Sequence, residues 1–177
     1  MDAFEAKLLP IDTDALNSSV YMEALIDATA RLEVYKSKLD SSKLDRNWFL
    51  PTLQQKEALA SSLLEGTQAT LDGVLVDQVN PSDKDKNLLE VRNYLLAANS
   101  GYRHLRTNDF SVDFIQSLHK ELLEGNVRRN KSTIPGSFRT EQNYIGHGKT
   151  ISYVPPVPSK VPMLMDNFVE YLNAPSD

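Results

Sequence analysis

The sequence predicts a mostly α protein carrying one β-hairpin. Apolar residues recur at steps of three to five over most of the chain. That period disappears between Arg128 and Pro158, where Gly136, Gly146 and Gly148 gather with prolines. Of 177 residues, 41% are hydrophobic and 24% charged, a mix that fits one soluble domain with a sizeable core.

The elements follow in order. Leu16, Val20, Leu25, Ala28, Leu32, Tyr35 and Leu39 form one apolar stripe on a long helix starting near Thr13 or Asp14. The polar run from Asp40 to Asp45 ends it. Pro51 suits the first turn of a second helix, whose Leu53, Leu59, Ala60, Leu63 and Leu64 lead to the stop residue Gly66. Thr67 to Val79 reads as a short third helix with Leu71, Val74 and Leu75 facing inward. Asn80 to Asp83 makes a turn, and Ser82 with Asp85 resembles a capping box. The helix after it places Leu88, Val91, Leu95, Tyr102 and Leu105 on one face, crossing Gly101 at some cost in propensity. Ser111 caps the next helix, which buries Phe114, Ile115, Leu118 and Leu122 and stops at Gly125.

Phe138 to Ile145 and Lys149 to Val154 pair as a hairpin around a Gly146-His147-Gly148 turn. A last helix, capped at Ser159, buries Leu164, Met165, Phe168 and Leu172. The expected layout is one domain over 1–177. Within it, residues 1–125 are helical with a site helix at about 51–65, residues 126–158 form a hairpin and linker, and residues 159–173 form a final helix.

Charge and composition narrow the function classes. The 19 Lys and Arg against 24 Asp and Glu leave a net charge of −5, which argues against a broad nucleic-acid footprint. The absence of cysteine excludes disulfides, thiolate metal sites and cysteine nucleophiles. Acids follow Met1 where a secretory signal would carry bases, and no apolar run reaches bilayer length. A cytoplasmic protein without membrane or nucleic-acid partners is expected.

Two segments carry candidate chemistry. The first runs from Glu57 to Thr70 and places Glu65 in the last turn of its helix, before Gly66. On spacing alone Glu65 is a solvated carboxylate, since an exposed anion at a helix C-terminus costs only about 0.3 kcal/mol. The second runs from Ile134 to Gly146 and continues into Tyr153-Val154-Pro155-Pro156-Val157-Pro158. Alone it is a surface hairpin leading into an extended proline segment, which also fits a short polyproline recognition pattern.

Together, and in this order, the segments resemble the Fic family. The family stretch E-A-x-x-S-S-x-I-E-G-T-x-A-T-L is matched from Glu57 to Leu71, with Leu64 in place of the usual Ile. The inhibitory pattern [S/T]-x-x-x-E-[G/N] inside it is met by Ser61, Glu65 and Gly66. The later pattern P-G-x-F-R-x-x-Q-N-x-I-G is met by Pro135, Gly136, Phe138, Arg139, Gln142, Asn143, Ile145 and Gly146. A V-P-P stretch follows, then Leu164-Met165 leading to Phe168, Leu172 and Asn173, so the resemblance covers nearly the whole chain. The family motif H-P-F-x-[D/E]-G-N-G-R-x-x-R does not occur in these residues. His104, His119 and His147 have no Pro-Phe after them, so no catalytic residue is expected here.

The resemblance implies a Fic-like helical bundle with the hairpin as its flap. In complete family enzymes the motif histidine deprotonates a target hydroxyl that attacks the α-phosphate of ATP. AMP is transferred and pyrophosphate leaves, with Mg²⁺ held by the motif acid. ATP and Mg²⁺ are therefore expected for a complete enzyme, and none is expected to bind this chain alone. Glu65 is implied to pair with the second arginine of that motif and block a productive ATP pose, with Gly66 and Ser61 fixing its turn. Tyr144, Ile145, Gly146, Thr150, Ile151 and Ser152 are implied to dock a protein substrate by strand addition. Arg139 reads either as an anchor for the flap base or as a surface charge. The expectation is the regulatory and docking region of a protein adenylyltransferase, inactive alone. The alternatives are a stand-alone inhibitor or interaction module acting on a Fic enzyme, and an inert scaffold or homo-oligomer module using the same helices.

Overall fold

The computed structural model describes residues 2–12, 17–43, 45–125, 127, 133–148 and 150–175. Six α-helices and one two-stranded antiparallel hairpin occur among them, so the fold is mostly α with a small hairpin, as the periodicity indicated. The chain divides into two compact units, Ile11–Leu53 and Met1–Pro10 with Gln54–Asp177.

In the smaller unit, α1 (Ser18–Ser41) starts where the Asn17 side chain accepts the Ser19 N–H at 3.1 Å. The expected start at Thr13 or Asp14, and Leu16 of the stripe, lie outside the described residues. The rest of that stripe is not buried. Val20, Leu25, Leu32 and Tyr35 are all exposed, because among the described residues the only other helix in this unit is the opening of α2 (Arg46–Leu64). What the unit does enclose is a hollow of about 360 Å³ lined by Tyr35, Leu39, Phe49, Leu50 and Leu53. Helix α2 begins five residues before Pro51. Asp45 offers its carbonyl to the Phe49 N–H at 3.2 Å and opens the helix, and Pro51 is carried inside it. Only one ladder bond, to the carbonyl of residue 47, is lost by that proline.

The larger unit is built on α4 (Lys86–His104). Val91 is fully enclosed and clusters with Ala58 of α2 and Val74 of α3 (Leu71–Val79), with Leu59, Ala69, Leu88, Tyr94 and Leu95 packed around them. Helix α3 is shorter than the expected Thr67–Val79. The Thr70 hydroxyl caps it by accepting the Gly73 N–H at 3.1 Å, and Gln68 donates its N–H to Asn87 Oδ1 at 3.1 Å instead of a helical carbonyl. Leu75 is exposed, contrary to the inward reading. Asp77 takes the buried position, accepting the Ser82 N–H at 3.0 Å and pairing with Arg92 at 3.2 Å.

Asp85, not Ser82, caps α4, because its Oδ1 reaches the N–H groups of Asn87 and Leu88 while Ser82 is held by Asp77. The expected face of α4 also divides. Leu88, Val91 and Leu95 pack in the core, but Tyr102 is 63% exposed and Leu105 lies beyond the helix. Farther along, the buried positions pass to Asn93, Ala97 and Gly101, the side facing α5 (Val112–Leu122). A helix packed against two neighbours buries two stripes, which a one-face reading cannot separate.

Ser111 caps α5 by accepting the Phe114 N–H at 3.0 Å, and Phe114 is buried against the His104 ring, centroids 3.9 Å apart. Leu122 is at the surface rather than buried. Buried Asn93 donates to the carbonyls of Leu122 and Glu124 at 3.2 and 2.9 Å, closing the end of α5 before Gly125.

The hairpin is shorter than expected and its turn is shifted. Strands β1 (Ile145–His147) and β2 (Thr150–Tyr153) pair Ile145 with Tyr153, Gly146 with Ile151 and His147 with Thr150. Gly146 and His147 therefore belong to a strand, while residue 149 lies outside the described residues. Phe138 to Tyr144 form no strand, because their side chains bond instead to the proline segment after β2. A 3₁₀ turn at Pro158–Lys160 leads into α6 (Val161–Asn173). Ser159 lies inside that turn and does not cap α6, since Pro158 and Pro162 preset the helical φ of the entry. Leu164 and Met165 are half-buried, whereas Phe168 and Leu172 remain exposed. None of the described helices is long and apolar enough to cross a membrane.

Asn93→Ala removes both donors that close α5 and strands two carbonyls. The expected cost is about 2 kcal/mol of stability, read as a lower denaturant midpoint in the larger unit.

Candidate functional site

The end of α2 is closed by backbone bonds. Thr67 N–H reaches back to the Ser62 carbonyl at 3.1 Å and Gly66 N–H to the Leu63 carbonyl at 3.0 Å, the two bonds of a Schellman turn. That turn needs a left-handed residue, and Gly66 supplies it with φ 89°. Glu65 stands one residue past the last helical residue, not in the last turn as the spacing suggested. Its side chain is exposed and makes no hydrogen bond or ion pair among the described residues.

Ser61, Ser62, Glu65 and Thr67 line one wall of a groove of about 450 Å³. Glu90 and Tyr94 of α4 line the other, and Leu122, Leu123 and Val127 complete it. Side-chain ties brace the two walls. Ser61 donates to Glu57 Oε1 at 3.3 Å, the Tyr94 hydroxyl donates to the same oxygen, and the buried Thr67 hydroxyl donates to Glu90 Oε2. Among the described residues the groove's lining contains two carboxylates and no Lys or Arg. Thr67 lies inside the motif string that the sequence singled out. Glu57 opens that string, whereas Glu90 and Tyr94 gave no such signal for a groove, because only folding brings α4 against α2.

A second surface is built from the Pro135-Gly136 segment and the hairpin. His119 is half-buried, and its Nδ1 accepts the Gly136 N–H at 3.1 Å, which places the ring proton on Nε2. Arg139 resolves as an anchor: it donates to the carbonyls of Pro156 and, at 3.3 Å, Glu141. Gln142 Nε2 donates to the Pro155 carbonyl at 2.9 Å. Prolines offer only carbonyls to their surroundings, and here both are taken by residues of the P-G-x-F-R-x-x-Q-N string. The sequence showed those residues but not their partners, which lie 17 and 13 residues further on.

The hairpin itself stands in solvent. Tyr144, Ile145, Gly146, Thr150, Ile151 and Ser152 are all exposed, and β1 and β2 have only each other as strand neighbours among the described residues. Gly146 is required by close approach at the irregularity between positions 145 and 146. A Cβ there would lie 2.1 Å from the Thr150 carbonyl oxygen. Ser152 donates to the Ile145 carbonyl at 3.0 Å and stiffens the same place.

The fold and groove define a helical unit that presents one carboxylate at the end of a capped helix. The model of the Fic/DOC family N-terminal region matches residues 22–103, a little under half of the chain. This stretch includes Ser61, Glu65 and Gly66 together with Glu57, Glu90 and Tyr94, while the hairpin lies outside the match. No curated protein matches the sequence.

Two outcomes test this geometry. Arg139→Lys keeps the charge but replaces two separated guanidinium nitrogens by one, so a loss of about 1 kcal/mol and faster proteolytic cleavage between residues 142 and 153 are expected. The bond to Glu57 holds the Tyr94 phenol above its ordinary value of 10.0, with burial as a lesser cause. Its stabilisation is complete below that value and is lost as pH rises through the higher folded value. The melting temperature of wild type should therefore exceed that of Tyr94→Phe at neutral pH, and the difference should shrink as the pH rises past 10.0 and the phenol ionises.

Proposed function

We propose that this chain is the regulatory and target-docking region of a Fic-type protein adenylyltransferase, one that transfers AMP from ATP to protein hydroxyls. The observation that carries the reading is Glu65: a carboxylate without a cation among the described residues, held at a groove mouth by a Schellman turn and matched to the family's inhibitory pattern. An arginine of a catalytic segment would form a charge-assisted pair with it, and the γ-phosphate of ATP needs the same place. Gly66 turns the chain away without a side chain, and Ser61 holds the preceding turn through Glu57.

Among the described residues the groove offers a triphosphate no cation: two carboxylates face it, no Lys or Arg does, and no cluster of three metal-ligating side chains occurs. In this reading nucleotide and Mg²⁺ belong to a segment bearing the histidine motif, and this chain contributes the cation acceptor and the target edge. The exposed hairpin supports docking, because among the described residues each strand has a strand neighbour on one side only and leaves its other edge for an extended target to add to.

Combining the chain with a segment carrying the histidine motif is the direct test, with AMP incorporation as the readout. Glu65→Gly should raise the rate by about 10- to 100-fold, the equivalent of one charged hydrogen-bonded pair. An unchanged rate with an intact fold would remove the inhibitory role.

A further inference from the structure

We infer that residues 2–9 form an arm that positions the hairpin, an inference that rests on the docking reading given above. The arm has no helix or strand of its own, yet it is tied at three places to residues more than 140 positions away. Phe4 donates its backbone N–H to the Val154 carbonyl at 2.8 Å, one residue past the end of β2. Its ring lies 5.8 Å, centroid to centroid, from the ring of Tyr153, the last residue of β2, tilted by 49°. Glu5 pairs with Lys160 at 2.6 Å, at the entry to α6. Leu9 is held by one side chain through both backbone groups: its N–H donates to Asn167 Oδ1 at 2.7 Å, and its carbonyl accepts from Asn167 Nδ2 at 3.0 Å.

These ties complete a pattern at the hairpin root. Val154, Pro155 and Pro156 present three successive carbonyls, and each is taken by a different donor: Phe4 N–H, Gln142 and Arg139. Two of those donors come from the segment entering β1, and the third comes only from the arm. Val154 is buried where the arm crosses it, although the neighbouring strand residues are exposed. A two-stranded hairpin is marginal by itself, so its direction depends on how its root is held. With the Val154 acceptor already bonded to Phe4, a target strand on this hairpin pairs along β1 or β2 and does not continue past Tyr153. The arm thus acts as a positioning element for the docking edge and touches no reacting atom.

Backbone hydrogen exchange on the full chain reads this without a target protein. Asn167→Ala should speed exchange of the Gly146–Tyr153 amides by about tenfold, with the amides of α4 unchanged. Glu5→Lys should speed the same amides by about two- to fivefold. The exchanged pair Glu5→Lys with Lys160→Glu should return them to within about twofold of wild type. Arm amides that become freely exchanging while the hairpin amides keep their wild-type rates would overturn the inference. So would a charge exchange that fails to restore the hairpin. Because the readout needs no bound strand, a hairpin that responds to the arm but never takes up an extended peptide would defeat the docking reading alone.

Discussion

The enclosed side chain of Val91, packed with Ala58 and Val74, is the contact on which the larger unit depends. It brings α2 and α3 against α4 through three small or β-branched residues, which allow close approach of the backbones. The Glu57–Tyr94 and Thr67–Glu90 bonds can then span the two groove walls. Those bonds fix the turn after α2, and the turn aims Glu65. The chemistry of one exposed carboxylate is thus set by a core that touches it nowhere.

Away from this core, backbone groups are satisfied by amide side chains rather than by regular pairing. Asn93 closes the end of α5, Asn167 holds Leu9, and Asn173 takes both the N–H and the carbonyl of Phe110, at 3.0 and 2.8 Å. An amide offers a donor and an acceptor at once, so a single side chain can replace a missing strand neighbour. Arg139 and Gln142 do the same for the carbonyls of the proline segment, where no N–H is available to build a sheet.

Much of this was legible in the sequence, and the gaps have physical causes. The helical period gave the α class, and the loss of that period located the hairpin. Gly66, Thr70 and Ser111 sit at helix ends where their backbone freedom or hydroxyls are used, although Thr70 was read inside α3. Pro51 misled, because Asp45 opens α2 earlier and the helix tolerates the lost bond. Ser82 misled because Asp77, buried beside Arg92, takes its backbone. Tyr102 and the α1 stripe lie on the apolar faces that the periodicity marks and are exposed, because periodicity reports a face but not whether anything covers it. For the candidate site, the residues of both motif strings could be read, whereas the roles of Glu57, Glu90, Tyr94 and the arm at 2–9 could not. Those roles come from contacts between elements far apart in the chain, and no local pattern encodes them.

The central claim is that Glu65 accepts a guanidinium at the mouth of the groove. Calorimetric titration of this chain with a separately prepared segment carrying the Fic histidine motif tests it most directly, with the motif's second arginine intact or replaced by alanine. The account expects saturable binding that weakens by about tenfold or more when that arginine is removed. Equal affinity for the two segments would contradict it.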